Sequence, residues 1–213
     1  MSAPGRIYDL SPRISPRLAV WPGDTPFSQR FLCRIDEGAN LDLSTIESTV
    51  HLGAHADAPS HYGAGAPGIA DRDLRPYLGP CELMRVEVAC GARIMPSDLP
   101  SAPRAPRLLL RTGTFPDPEA WNEDFAALSP ELVHHLADCG VILVGIDTPS
   151  IDLQNDRALA SHQAVLARDL SVLEGLLLDG PPPGLYTLVA LPLAIEGADA
   201  SPVRAVLVAG SLG

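Results

Sequence analysis

Residues 50–61 read "VHLGAHADAPSH", and whether this stretch is strand, helix or loop decides what kind of fold surrounds it. Three of the chain's six histidines, His51, His55 and His61, stand here together with Asp57. All four positions are odd-numbered, so an extended strand would set them on one face, with Gly53 leaving a gap between two imidazoles. At about 3.3 Å per residue, however, a straight strand would hold His51 and His55 roughly 13 Å apart. Two ligands of one zinc ion must each come within about 2.1 Å of it. Serving a common ion therefore demands a curl. Gly53 permits a bulge or unusual backbone angles, and Pro59 ends strand pairing. A helix fits worse, because it would align His51 with His55 but turn Asp57 away, and it would have to absorb Gly53 and Pro59. The stretch reads as strand running into a loop shaped to wrap an ion.

Outward from it, runs rich in Val, Ile and Leu read as further strands: Ile7 to Leu10, Phe27 to Ile35, Leu43 to Leu52, Cys81 to Val88, Arg107 to Arg111, Val141 to Ile146, Leu185 to Leu193 and Val203 to Val208. The best-marked helix is "SPELVHHLADCG" (129–140), with Ser129 as N-cap, Pro130 in the first turn and Gly140 as the stop signal. A second helix is expected over about Arg157 to Asp169. The 22 prolines and 18 glycines are spread through turns such as "WPGDTP" and "GPPPG" and form no linker, and no repeat is visible. These signals predict one α/β domain over residues 1–213, strand-rich, with a mixed sheet or barrel and a few flanking helices. A chain of 213 residues that is 46% hydrophobic can build the core such a domain needs.

Charge and composition remove several function classes. A net charge of −11 without a Lys/Arg cluster argues against nucleic acid as a partner, since binding a phosphate backbone depends on clustered cations. No run approaches the roughly 20 apolar residues of a membrane span, and "MSAPGRIYDLSPRISP" lacks the apolar middle of a signal peptide, so a cytoplasmic location is expected. The four cysteines, Cys33, Cys81, Cys90 and Cys139, form no CxxC pair and read as buried small hydrophobes without a catalytic role. "GAGAPG" (63–68) matches a dinucleotide fingerprint by letter only: it follows a loop, contains a proline and opens no helix, so it is a turn. No GxSxG nucleophile elbow is present. His134 and His135, adjacent in the first helix, point in different directions and read as helix surface. What remains is the histidine cluster. Any one of its histidines could be an ordinary loop residue. Three with an aspartate and no thiolate make a donor set suited to Zn, Mn or Fe, and a carboxylate can bridge two ions.

"HLGAHADAPSH" resembles the HxGTHxDxPxH signature of the cyclase-like metal-dependent hydrolases, with Ala54 where the signature usually has Thr. The wider chain resembles the bacterial kynurenine formamidases of that superfamily. "YDLSPRISP", "VWPGDTP", "YLGPC", "LLLRT", "GIDTPSID", "SHQAVL", "LEGLLLD", "LVALPL" and "DASPVRAVL" follow in the same order from end to end. The resemblance implies a swivelling β/β/α fold, a homodimer and two zinc ions per subunit, although the N/O donors suit Mn or Fe as well. It implies that His51, His55 and Asp57 hold one ion while Asp57 reaches the second. His162 in "SHQAVL" is then a ligand of the second ion and Glu174 in "LEG" bridges both. In one unbroken helix His162 and Glu174 would be about 18 Å apart, so the helix must end before Glu174 if both serve one site. His61 matches the family's proton donor and acceptor. Trp21 matches its substrate-contacting tryptophan, though a WPG turn can also bury its indole as packing. Asp147 and Asp152 in "GIDTPSID" could orient metal-bound histidines or cap turns beside Pro149, and both readings stay open.

The activity implied is hydrolysis of N-formyl-L-kynurenine to L-kynurenine and formate, by water activated at the metal site, with His61 relaying a proton to the departing aniline nitrogen. Two other readings compete. One is a different amide hydrolase of the superfamily, acting on a cyclic amide or another arylformamide. The other is a silent metal-binding protein in which the ions serve only to fold the loop.

Overall fold

The computed structural model describes residues 5–210. It contains thirteen strands: β1 Ile7–Asp9, β2 Ser28–Cys33, β3 Leu43–Glu47, β4 His55–Asp57, β5 Leu78–Arg85, β6 Arg93–Ile94, β7 Arg107–Arg111, β8 Ala127–Leu128, β9 Leu143–Ile146, β10 Ser171–Glu174, β11 Gly184–Val189, β12 Ala200–Pro202 and β13 Val206–Val208. Two α-helices join them, α1 Pro130–Asp138 and α2 Ala160–Arg168.

Nine strands form one mixed sheet in the order β1-β13-β11-β5-β7-β9-β10-β4-β12. The pairs β5/β7, β7/β9 and β9/β10 are parallel, and the remaining neighbours are antiparallel. β12 lies at one edge and β13 next to the other, yet only residues 203–205 separate them in the chain. Three residues reach at most about 3.3–3.6 Å each, so the sheet has to curl until its two edges almost meet. Side-chain alternation then divides the core in two. Leu83, Leu109, Leu143 and Leu173 fill the interior with Leu10, Ala56 and Leu207. Met84, Leu108, Leu110, Val144, Ile146 and Val172 point outward, where Leu132, Val133 and Leu136 of α1 and Ala164 and Val165 of α2 cover them. A strand-rich α/β fold with few helices is what the apolar runs predict.

Several boundaries move, each for a local reason. α1 begins as expected, with the Ser129 hydroxyl accepting from the Leu132 amide at 3.0 Å. α2 starts at Ala160 and not near Arg157, because Leu159 sits in the left-handed region at φ 49°. It ends at Arg168, where Asp169 takes φ 50° and releases the chain into β10, which is the break that His162 and Glu174 require. The run from Leu43 stops pairing at Glu47, and of the run from Val203 only Val206–Val208 pairs, as β13, while β12 precedes it at Ala200–Pro202. The cysteine expectation is corrected. Cys81 is buried and Cys33 half-buried, but Cys90 and Cys139 are exposed, the first beside the Gly91 turn and the second as the cap that ends α1. His134 and His135 lie on the exposed side of α1, and residues 63–66 form a turn closed by the Ala66 amide on the Gly63 carbonyl, with no α-helix opening after it. No helix among the described residues is long and apolar enough to cross a membrane.

Candidate metal centre and active-site cavity

The curl demanded by the histidine spacing is present. Gly53 adopts φ +59°, His51 stands in the bend before it, and the His51 and His55 rings come within 5.0 Å centroid to centroid. β4 then runs for only three residues before Pro59 starts a single 3₁₀ turn that ends at His61. Within β4 the period of two sends Ala56 into the core and His55 and Asp57 to the opposite face. β10 pairs with β4 so that Glu174 lies opposite His55. From the far side α2 contributes His162, which is buried.

These elements bring five donors together, arranged around two carboxylates. Asp57 Oδ1 lies 3.2 Å from His51 Nδ1 and 3.5 Å from His55 Nε2, while its Oδ2 lies 3.2 Å from His162 Nε2. Glu174 divides the same way, with Oε2 at 3.3 Å from His55 Nε2 and Oε1 at 3.3 Å from His162 Nε2. Each carboxylate thus offers one oxygen to the His51/His55 side and the other to His162. Backbone geometry holds the ring nitrogens in place. His55 Nδ1–H donates to the Gly53 carbonyl at 2.8 Å, which aims Nε2 at the carboxylates. Gly175, at φ +65°, packs so closely on that carbonyl that a Cβ there would stand 2.2 Å from the Gly53 oxygen.

Asp152 faces a histidine of the cluster, as one of its two readings had it, and its capping is of the start of α2 and not of a turn beside Pro149. Its carboxylate accepts the amides of Ser161 and His162 at the start of α2, where Leu159 offers no capping side chain, and it also accepts His162 Nδ1–H at 2.9 Å. Asp147 instead binds the Thr112 and Gly113 amides and the Thr112 hydroxyl, so it caps the end of β7 and touches no histidine of the cluster. Asp199 is a member of the site that no motif reading singled out: its Oδ2 lies 3.1 Å from both His51 Nε2 and His61 Nδ1.

The electrostatics follow from burial opposed by pairing. Burial alone would lower the His51 imidazole, but the nearby carboxylates of Asp57 and Asp199 outweigh that and raise it to about 9. Burial opposes protonation of His162 likewise, and contacts to Asp152, Asp57 and Glu174 carry it well above the ordinary imidazole value. Asp57 would be raised by burial, yet His162 and His51 hold it well below the usual carboxylate range. Glu174 is raised by burial and by the charge of Asp57, and the nearby imidazoles of His162 and His55 still bring it below its ordinary value.

Above the cluster lies a cavity of about 520 Å³, with His51, His55, His61, His162 and Glu174 at its floor and Trp21, Phe115, Trp121 and Leu159 among its walls. Trp21 is 37% exposed and stands edge-on to Trp121 at 5.3 Å between ring centroids, so it is both a packing partner and a wall of the cavity.

The family model described as "Putative cyclase" matches residues 8–153. The chain belongs to the Cyclase family. Among its curated relatives, kynurenine formamidases from Bordetella petrii and Bordetella pertussis are each 45% identical over 95% of this chain and 97% of their own length. Of the solved structures, a predicted metal-dependent hydrolase from Bacillus stearothermophilus superposes with a TM-score of 0.80 at 26% identity, covering 96% of this chain and 98% of that one. Isatin hydrolase A from Labrenzia aggregata shares the fold at a TM-score of 0.81 and 20% identity, over 97% of this chain and 94% of its own. In this Cyclase-family member the donors fit a cation on a structural ground. His55 Nε2 and Asp57 Oδ1 are buried without a hydrogen-bond partner, although they face one another across the cluster. Leaving such groups unpaired costs about 1–3 kcal/mol each, and a cation between them would satisfy both. His55, Asp57 and Glu174 are mutually close enough to share one ion, as are His51, Asp57 and His61.

Proposed function

We propose that this protein hydrolyses the formamide bond of N-formyl-L-kynurenine, giving L-kynurenine and formate, with two zinc ions per subunit. The observation that carries the reading is the divided pair of carboxylates, each with one oxygen toward the His51/His55 side and one toward His162, on the floor of an aromatic cavity. Two neighbouring ions call for that arrangement, and relatives named kynurenine formamidase at 45% identity support the substrate. His51, His55 and Asp57 would hold one ion, and Asp57, His162 and Glu174 the other, with Glu174 reaching both. When bound, such ions polarise a carbonyl oxygen and lower the pKa of a coordinated water toward about 7.

The chain's own residues supply the remainder. Trp21 and Trp121 would flank the substrate's aryl ring and set the formyl carbon over the polar floor. Water adds to that carbon while His61 takes up the proton it gives up, the carbon–nitrogen bond breaks, and His61 delivers that proton to the aniline nitrogen as it leaves. We further read residues 1–213 as one domain, since strands from both ends of the chain pair as β1 and β13. A cytoplasmic homodimer completes the reading, closed symmetric dimers being the commonest assembly.

Absorbance-monitored hydrolysis of N-formyl-L-kynurenine, before chelation, after it and after zinc is restored, tests the proposal. Activity lost with the metal and recovered with it is the expected result; a metal-replete sample that leaves the substrate intact would overturn it. Trp21→Ala is expected to raise KM more than it lowers kcat, and steady-state kinetics giving the opposite split would remove Trp21 from substrate binding.

Metal uptake should also be linked to protons. His51 is raised to about 9 in the metal-free cluster, so at pH 7 it has to give up its proton to become a ligand. His162, raised well above its ordinary value, has to do the same, so apparent zinc affinity is expected to climb with pH through neutrality and on past the His51 value of about 9. The metal-free protein has the opposite sign: pairing of protonated His51 adds stability below its ordinary value of 6.5, and that contribution is lost as pH rises through about 9. Calorimetry of zinc binding in buffers of different ionisation enthalpy reads the protons released; uptake without release would contradict the linkage.

A further inference from the structure

Asp199 immediately precedes β12, and its backbone carbonyl accepts the Ala58 amide at 2.8 Å, which ties it to the end of the histidine-bearing segment. The carboxylate Oδ2 stands 3.1 Å from His51 Nε2 and 3.1 Å from His61 Nδ1, between two rings whose centroids are 4.2 Å apart. An ionised carboxylate oxygen can only accept, so both ring nitrogens facing it carry hydrogen. Two consequences follow from the covalent structure of imidazole. His51 must present its other nitrogen, Nδ1, to Asp57, whereas His55 and His162 present Nε2. His61, with its hydrogen fixed on Nδ1, keeps Nε2 as the atom that can take up or deliver a proton.

Three acceptors therefore orient the cluster's imidazoles: the Gly53 carbonyl for His55, Asp152 for His162, and Asp199 for His51 and His61 together. Only Asp199 touches both a proposed ligand and the proposed proton carrier. Its side chain remains 47% exposed, and among the described residues it bonds no side chain other than these two histidines, so the fold does not need it as a buried strut. We propose that Asp199 is a positioning residue that fixes the tautomers of His51 and His61, joining the metal-holding ring to the proton-carrying ring through one oxygen. The assignment rests on the proposed roles of His51 and His61.

The experiment compares zinc-loaded wild type with Asp199→Ala and Asp199→Asn by histidine ring ¹⁵N NMR and by steady-state kinetics. In the wild type His61 should show hydrogen on Nδ1 and a bare Nε2. In Asp199→Ala that signature should give way to hydrogen on Nε2, and kcat should fall on the order of 10²-fold or more, with KM changing less than about threefold. Asp199→Asn keeps the side chain's shape and an acceptor oxygen, so it should retain the wild-type tautomer and lose less activity. An unchanged His61 tautomer in Asp199→Ala, or kcat within about threefold of wild type, would overturn the inference. His61→Ala separates the two levels. If it abolishes turnover while Asp199→Ala does not, only the positioning role fails; if it leaves turnover intact, the proton-carrier reading fails as well.

Discussion

His61→Ala is expected to lower kcat by about 10²–10⁴-fold while zinc content and secondary structure stay at wild-type levels. His61 ends the 3₁₀ turn started by Pro59, lies on the cavity floor and meets the protein through Asp199, and it makes no short contact with either bridging carboxylate. Removing it takes away a proton route and no donor that faces Asp57 or Glu174. An anilide nitrogen is a poor leaving group until it is protonated, so the loss should appear in kcat and much less in KM. Metal analysis beside steady-state kinetics decides between three outcomes. A dead variant with full zinc supports the proton role. Zinc lost along with activity would make His61 a ligand, consistent with its closeness to His51 and Asp57. Undiminished activity would favour a protein whose ions only shape the loop.

Asp57→Asn should be still more damaging, abolishing turnover and weakening zinc binding by at least about 100-fold. The Asp57 side chain is fully buried, with His51 and His55 at one oxygen and His162 at the other. An amide of the same size keeps one acceptor but turns an N–H toward a ring that holds or seeks a proton, and the bridging charge disappears. The damage extends to the metal-free protein. Breaking a buried ion pair by removing one partner costs about 3–5 kcal/mol, because the other partner is left uncompensated. Urea unfolding of chelated wild type and variant at pH 7 measures that difference. Since Asp57 is held below its ordinary value, its contribution is present above the normal carboxylate range and fades as pH falls, so the two curves should converge toward acid. Zinc bound at wild-type stoichiometry and affinity would remove Asp57 from the metal site.

Much of this was legible in the letters, for identifiable reasons. α1 is marked at both ends by residues whose cap chemistry is local, Ser129 and Gly140, and it folds accordingly. The spacing of His51, His55 and Asp57 excluded a straight strand, and the structure curls at Gly53. Other elements gave no such signal. β4, β6, β8 and β12 are two or three residues long, too short for a period of two to emerge, and β4 carries polar side chains where a strand pattern expects apolar ones. Register across distant segments is invisible in a single run of letters, so nothing in "LEG" alone sets Glu174 opposite His55. Asp152 could be weighed but not decided, because both caps and histidine partners use the same carboxylate, and here one side chain does both. Asp199 was missed although it lies inside a recognised segment. Its partners, His51 and His61, are far away in the chain, and a lone aspartate before a strand has no pattern of its own.

The separation of the donors along the chain governs when the site can exist. Asp57 and His162 are 105 residues apart, and His51 and Asp199 are 148 apart, so neither pair can meet until long loops have closed and β4 has slotted between β10 and β12. Contacts of that reach form late on the way to the native state. A cation held there would act on the exit barrier and leave the entry barrier almost untouched, so removing it should shorten the lifetime of the folded molecule without slowing its return.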